Sequence, residues 1–371
     1  MMISSVQVCQ NRPTPSSLKT LACALNLKFS DFSVLSESEG LRTTNRAFFP
    51  ATWGSAHLPV TLMISKDMTL SNANVKNSFS LTPIVQFVDE VPSYLLPATS
   101  EDNVSGNNQG ESHLCLVTFL SKIILFFSAV VWILSRSHVL QFGSYARNLK
   151  QRRKSLRVDE FEKDMSFVLL QLINGLKYLQ AQGIEETVWD LDNFLLARSD
   201  NDNYHRLIIT EECHRGNTKK MSLCQCALAA MLQLFDIADP VEVACEPREM
   251  IELPQIIPSV SMFKTMAVIL QKDGGVSLGQ VKSMLEYMLW GPSDIIFDFK
   301  MSREAESREE ALQRWLDLER ATVLNNIIRT QGLWNIVLTV YEEYHLLFLV
   351  RTCAKMLREA SLLFESKVSR M

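Results

Sequence analysis

A short polar loop between Gly183 and Phe194 carries the residues whose types and spacing best fit catalysis. It contains the carboxylates of Glu186 and Asp190 and the amide of Asn193. A carboxylate can accept a proton from a hydroxyl group, and an asparagine side chain can bind Mg²⁺ through its oxygen. Together with a phosphate-binding loop, such a set would transfer a phosphoryl group.

The spacing of these residues departs from the one that active protein kinases use. In those enzymes the loop reads H-R-D-L-x-x-x-N, where the Asp accepts the substrate proton and the Asn binds magnesium. Counting back from Asn193 places Glu186, Thr187 and Val188 at the H-R-D positions. Valine cannot accept a proton. Asp190 is three residues before Asn193, whereas the motif needs five, so only the asparagine of the motif is present.

The residues expected to bind metal and phosphate are changed as well. The D-F-G of active kinases is expected after "RLII", where this chain reads Thr210, Glu211 and Glu212. Glu211 is longer than Asp and displaced by one position, so we do not expect it to reproduce the magnesium geometry. The stretch "FFPATWGSAHLP" has a single glycine, which cannot bring successive backbone N–H groups onto phosphates. Lys66 is the predicted equivalent of the strand-three lysine and a nucleotide-binding remnant.

Composition narrows the class of protein. The 371 residues suffice for two to three lobes with their own cores, and the net charge of -4 gives no basic field for nucleic acid. Eight cysteines without regular spacing fit reduced cytosolic thiols. The first residues show no basic region followed by an apolar run, so a secretory signal is not predicted and a cytoplasmic location is expected.

The segment from Leu114 to Leu134 raises a membrane alternative. Its 21 residues are almost all apolar, and a membrane helix needs about 20. Lys122 lies near the middle, where a lysine costs about 2.5 to 3.5 kcal/mol on insertion. We favour a buried strand, "LCLVTFL", followed by an apolar insertion at residues 122–137, while a single-pass membrane protein spanning residues 114–134 stays open.

The pattern along the chain changes three times. Residues 1–40 form an N-terminal segment with one short helix, residues 41–140 read as strands, residues 141–300 as helices, and residues 301–371 as further helices. The first helix of the third part has one apolar face, made of Met165, Val168, Leu169, Leu172, Ile173, Leu176 and Leu179. A β-rich N-terminal lobe followed by a helical C-terminal lobe is the α+β, bilobal order of a protein kinase.

Several stretches resemble the Pragmin and pseudopodium-enriched atypical kinase (PEAK) family of pseudokinases, namely "LLQLINGLKYLQAQGI", "NFLLA", "RLIITEE", "LEYMLWGP" and "ALQRWLDLERA". The resemblance covers most of residues 16–345. It implies a kinase-like fold without catalysis, metal or cofactor. It also implies a flanking helical dimerisation bundle, in which Ala321 and Trp334 lie at positions similar to the family's dimer contacts. The early helix with Leu18, Leu21 and Leu25 completes this predicted interface.

The C-terminal part supports such a bundle on its own sequence pattern. Between Glu309 and Glu365 there is one glycine, Gly332, and no proline, so we expect about three helices broken near Gly332 and His345. Two wide apolar stripes follow, the first made of Leu312, Trp315, Leu316, Val323, Leu324, Ile327 and Ile328, and the second of Leu346, Leu349, Val350, Cys353, Met356, Leu357, Ala360, Leu363 and Phe364. The stripes fit either self-association or packing onto the chain's own lobe.

Other candidate sites have weaker patterns. A zinc site would need Cys213, His214, Cys224 and Cys226, but C-x-C with one nearby His fits no common structural pattern. The basic run "RNLKQRRKSLR" is more typical of a solvated face than of a lipid or RNA site. His345 has no carboxylate partner evident in sequence and is assigned no role.

The sequence therefore predicts a catalytically inactive pseudokinase that acts as a dimerising scaffold in intracellular signalling linked to tyrosine kinases. Its expected partners are a second copy or a related pseudokinase, together with signalling proteins. A divergent active kinase, with Asp190 or Glu186 as a substitute base, stays open beside the membrane alternative.

Overall fold

A computed structural model describes residues 7–8, 27–35, 41–42, 46–54, 58–65, 82–96, 112–121, 139–153, 157–188, 194–198, 202–209, 220–246, 251–292, 308–331 and 338–368. The chain divides into two compact units. The first consists of Met1–Phe142, Asp190–Asp200 and Ile208–Glu212, and the second of Gly143–Trp189, Asn201–Leu207 and Cys213–Met371. Two short pieces of the first unit thus come from the part of the sequence that we assigned to the helical lobe.

Within the described ranges the strands are β1 (Gln7–Val8), β2 (Phe32–Val34), β3 (Leu41–Arg42), β4 (Arg46–Trp53), β5 (Leu58–Ser65), β6 (Thr82–Pro92), β7 (Ser112–Ser121), β8 (Val139–Gln141), β9 (Glu186–Val188), β10 (Phe194–Ala197), β11 (Arg206–Ile209) and β12 (Lys220–Ser222). The helices are α1 (Phe142–Arg152), α2 (Val158–Ala181), α3 (Leu223–Leu234), α4 (Pro240–Cys245), α5 (Val260–Gln271), α6 (Ser277–Trp290), α7 (Arg308–Gln331), α8 (Val340–Arg351) and α9 (Ala354–Val368).

The first unit is built on an antiparallel sheet in the order β1-β6-β7-β5-β4-β2, with β3 beside β4. β4 and β5 pair along their whole length, with Phe49 opposite Leu62 and Phe48 opposite Met63. Phe49 and Leu62 are fully buried. Phe48 and Met63 are also buried, in a cluster with side chains from β10 and β11. Because both faces of this hairpin are covered, its sequence is nearly all apolar instead of alternating.

The second unit is helical, and α2 is its central helix. The seven residues that the sequence placed on one apolar face of α2 are all buried. Phe167 and Gln171, which lie outside that face, are fully buried too. The helix is therefore covered over more of its circumference than the 3.6-residue pattern indicated.

The first part of the apolar segment after Leu114 is a strand. Ser112–Ser121 forms β7, which pairs with β6 on one side and β5 on the other. A membrane helix beginning at Leu114 is therefore wrong, and the predicted strand is present. The proposed insertion at residues 122–137 lies outside the described residues. No helix in the described ranges combines the length and the apolar content that crossing a bilayer requires.

Of the two predicted breaks between the C-terminal helices, the structure has one and places the other elsewhere. α7 ends at Gln331, next to Gly332, as predicted. The predicted break at His345 is wrong, because that residue lies inside α8. The helical conformation is interrupted at Thr352 and Cys353, so the second apolar stripe is divided between α8 and α9.

Candidate functional site

The positions expected to hold the proton acceptor form a strand. β9 pairs antiparallel with β12, with Thr187 opposite Met221. Glu186 is exposed, whereas Thr187 is buried, which is the alternation of a strand with one solvated side. A solvated carboxylate therefore lies at the position that the sequence predicts for the histidine of H-R-D, and its neighbour Thr187 is buried.

A glycine C-cap ends α2 shortly before β9. Gly183 follows α2 with φ of 78°, a left-handed conformation that favours glycine. Ile184 N–H donates to the Leu179 carbonyl at 3.1 Å, and Gly183 N–H donates to the Gln180 carbonyl at 3.0 Å. These two bonds form a Schellman motif, which satisfies the last carbonyls of α2 and turns the chain towards β9.

The thiols considered and set aside as zinc ligands are core residues where the structure describes them. Cys224 and Cys226 of α3 are buried and unoxidised. Burial, reinforced by a hydrogen bond to Asp273, raises the pKa of the Cys224 thiol to about 12. A metal ligand must be a thiolate, so this environment disfavours zinc. Among the described residues, no three or more His, Cys, Asp or Glu side chains cluster as metal ligands would.

Several predicted site residues lie outside the described ranges. For the catalytic frame these are Lys66, Asp190, Asn193, Thr210, Glu211 and Glu212. For the dimerisation module they are Leu18, Leu21, Leu25 and Trp334. Of the predicted dimer contacts, Ala321 alone is therefore described. Of the predicted catalytic positions, those in β9 are described, and so is Gly54, which follows β4 with φ of 68°.

α7 has two apolar faces, one buried and one exposed. Leu312, Leu316 and Ile327 are buried. Leu318 is 68% exposed and Leu324 is 56% exposed. At 3.6 residues per turn, the exposed apolar side chains fall within an arc of about 120° on the opposite side of the helix. We call this surface the α7 outer face; it consists of Leu318, Ala321, Leu324 and Ile328.

A loop between β10 and β11 anchors the first turn of α8. The Asp202 carboxylate is 5% exposed and accepts hydrogen bonds from Val340 N–H at 2.7 Å and Tyr204 N–H at 3.0 Å. Val340 is the first residue of α8, so a buried negative charge sits at a helix N-terminus, where it is favoured. Nearby, Arg206 forms an ion pair with Glu343, and both side chains are largely buried.

Aromatic stacking reinforces this anchor. The rings of Tyr204 and Tyr341 stack with centroids 4.9 Å apart and an interplanar angle of 22°. Lys163 of α2 places its Nζ 4.1 Å from the centroid of Tyr341, which is a cation–π distance. Loss of hydration lowers the pKa of Lys163, and burial raises the pKa of Tyr204 to about 12. Burial raises the pKa of Tyr341 as well, so both phenols keep their protons at neutral pH.

Trp290 of the "LWGP" stretch joins α6 to α8. Its indole stacks on the imidazole of His345 at 5.4 Å with an interplanar angle of 7°. His345 Nε2 lies 3.9 Å from Glu319 Oε1, which is too far for a hydrogen bond. Burial, with a smaller contribution from the positive charge of Lys163, lowers the pKa of His345 from 6.5 to about 4. His345 is thus a neutral packing residue, a role that no sequence pattern indicated.

Arg320 of α7 stabilises the segment between α8 and α9 through hydrogen bonds to backbone carbonyls. Its guanidinium donates to the Leu349 carbonyl at 2.9 Å and to the Thr352 carbonyl at 2.8 Å. Asp317 fixes the same guanidinium from one turn earlier on α7, at 2.9 Å. A cation at these carbonyls satisfies orphan acceptors at the end of α8. No pattern within α8 or α9 could have located this break, because the stabilising residue is on another helix.

The fold has a close counterpart among solved structures. The crystal structure of the pseudokinase PEAK1 (Sugen Kinase 269) is similar to this chain over 96% of its length and 92% of that chain, with a TM-score of 0.65 and 18% sequence identity. No protein-family model matches the chain, and no curated protein sequence does. At this identity the likeness shows the fold, so the kinase-like α+β fold expected from the sequence is confirmed and is the one adopted by the pseudokinase PEAK1.

Proposed function

We propose that this chain is a catalytically inactive pseudokinase that acts as a dimerising scaffold in intracellular, cytoplasmic signalling linked to tyrosine kinases. The α7 outer face is the observation that carries the scaffold role. Contiguous exposed apolar surface marks interaction sites in soluble proteins, whereas scattered apolar residues do not. The resemblance to the PEAK family supports a second copy, or a related pseudokinase, as the partner.

Sedimentation velocity of the full chain tests the dimer. We expect a dimer at tens of micromolar, on the order of ordinary transient affinities. Trp334→Ala should shift the chain towards monomer, since truncating a large aromatic in an interface typically costs about 2 kcal/mol or more. A wild-type chain that stays monomeric at that concentration would refute the scaffold proposal and assign the apolar stripes to internal packing.

Inactivity is supported by the residues at the catalytic positions. Val188 in β9 replaces the proton acceptor, and Thr210 stands at the start of the D-F-G position. Phosphoryl transfer needs base, metal and phosphate contacts positioned together, so Val188→Asp alone should not restore it. Incubation of the purified chain with labelled ATP and Mg²⁺ is the direct assay, and magnesium-dependent transfer by the wild-type chain would overturn the proposal.

A divergent active kinase is the second candidate, and one observation favours it. Glu186 is exposed in β9, so a substrate hydroxyl could approach its carboxylate. In that case ATP should raise the melting temperature only when Mg²⁺ is present, and Glu186→Gln should remove any transfer. We expect neither effect.

A further inference from the structure

One tyrosine of this chain differs from all the others in its accessibility. The sequence has seven tyrosines, and the structure describes every one of them. Tyr94 is 53% exposed. The other six are buried or half-buried, namely Tyr145, Tyr178, Tyr204, Tyr287, Tyr341 and Tyr344. A phenol-modifying enzyme that meets the folded chain therefore finds one tyrosine at the surface.

The local structure presents Tyr94 on a held turn. It is the middle residue of a one-turn 3-10 helix, Ser93–Leu95, directly after β6. Leu95 is 1% exposed, so the turn is packed into the core at this residue. Arg42 Nη2 donates to the Tyr94 carbonyl at 2.9 Å. The Arg42 guanidinium also lies over the Phe49 ring, 5.3 Å from its centroid. The backbone of Tyr94 is thus held at its carbonyl, while more than half of the residue's surface is exposed.

The sequence around Tyr94 is acidic. Between Lys76 and Lys122 there are five carboxylates and no lysine or arginine. Glu90, four residues before Tyr94, is exposed, whereas Asp89 accepts a hydrogen bond from Phe29 N–H at 2.6 Å. Charge patterns around the acceptor residue are among the features by which kinases select substrates. Tyr94 is therefore an exposed tyrosine in a stretch of sequence whose carboxylates are not balanced by any lysine or arginine.

We propose that Tyr94 is a phosphorylation site for a separate tyrosine kinase that uses ATP. The phenolic oxygen attacks the γ-phosphorus, the bond from that phosphorus to the β–γ bridging oxygen breaks, and ADP leaves. The phenolic proton passes to the carboxylate base of the modifying kinase. The product carries about -1.5 to -2 charge and three strong acceptor oxygens on a turn that Arg42 already holds.

The test uses the full chain and a recombinant tyrosine kinase domain, chosen because it phosphorylates a free peptide of residues 85–99. The folded chain is incubated with that kinase, ATP and Mg²⁺, and modified residues are mapped by mass spectrometry. We expect one phosphoryl group, on Tyr94. Tyr94→Phe should reduce incorporation to the kinase-free background, and Tyr287→Phe, which alters a half-buried tyrosine of α6, should leave it unchanged.

Two results would overturn the site. One is a peptide that is phosphorylated while Tyr94 of the folded chain is not, since this would mean that the held turn closes the hydroxyl to kinases. The other is modification of the folded chain mainly at the remaining tyrosines. An arm with ATP and Mg²⁺ but no added kinase separates this proposal from inactivity: phosphate on Tyr94 in that arm keeps the site and refutes the pseudokinase assignment.

Discussion

The carboxylate of Asp202 and the backbone N–H of Val340 are 2.7 Å apart, although 138 positions separate them in the sequence. This bond connects the loop before β11 to the first residue of α8. Gln171 of α2 holds the other end of the same loop, accepting from Leu207 N–H and donating to the His205 carbonyl, both at 2.8 Å. The C-terminal helices are therefore attached to the centre of the second unit through buried polar contacts.

Asp202→Ala should lower the free energy of unfolding by about 1 to 3 kcal/mol, because it leaves two N–H groups without their acceptor near a helix N-terminus. Urea denaturation followed by circular dichroism measures the change, and hydrogen exchange should increase first in α8. Asn203→Ala is the matched control, since Asn203 is exposed beside Asp202. Equal effects of the two substitutions would show that the anchor contributes nothing specific.

Because the pKa of His345 is lowered, we expect the free energy of unfolding to fall in acid. Its pKa is about 4 in the folded chain and 6.5 in the unfolded chain, so the unfolded state binds the additional proton between these values. The stabilisation from neutral His345 is therefore complete above about pH 6.5 and is lost as the pH falls towards about 4, by roughly 1 to 3 kcal/mol. Lys163 opposes the protonated ring, and Glu319 favours it only weakly at 3.9 Å.

The measurement compares wild type with His345→Gln by urea denaturation at about pH 7 and about pH 5. Carboxylates also titrate in this range, so the informative quantity is the difference between the two proteins. Wild type should lose more stability than the glutamine variant on acidification. Parallel losses would mean that His345 does not carry the pH dependence.

Gly183→Ala tests the cap that leads into β9. A Cβ at Gly183 would meet no atom within 4 Å, so the cost comes from the positive φ alone and should be about 1 kcal/mol. Gly275→Ala is a suitable comparison, because a Cβ there also meets no atom within 4 Å and its φ is not positive. The alanine at 275 should be neutral or slightly stabilising. An equal loss at both positions would contradict the C-cap argument.

Local pattern explains which parts of the fold could be predicted from sequence. The face of α2 from Met165 to Leu179 follows from the 3.6-residue period, and the end of α7 follows from Gly332. The break between α8 and α9 depends on Arg320, which lies about 30 residues earlier, and no period within α8 reports it. When the apolar period continues through such an interruption, the sequence pattern predicts one helix where the structure has two.

The same limit applies to the candidate sites. Val188 and Ala321 were found because a motif or a resemblance gave their positions. Asp202 belongs to no motif, and its role depends on a partner from a distant part of the chain. The exposure of Tyr94 could not be predicted from the sequence either. Its neighbour Leu95 is buried, and the sequence alone does not indicate which of the two residues faces solvent.

Ala321 lies at the centre of the α7 outer face. Ala321 is exposed, and glutamate is a good helix former, so Ala321→Glu should leave the circular dichroism spectrum and the unfolding midpoint nearly unchanged. If a second copy covers this face, a charge there loses its hydration without a partner, and the dimer should weaken at least tenfold, about 1.4 kcal/mol. Ala238→Glu is the matched control, because Ala238 is exposed in the turn before α4, where a negative charge is tolerated. Sedimentation velocity across a concentration series gives the dissociation constant of all three proteins. Ala321→Glu should shift towards monomer while Ala238→Glu matches wild type; a dimer that tolerates glutamate at 321 must use a surface other than the α7 outer face.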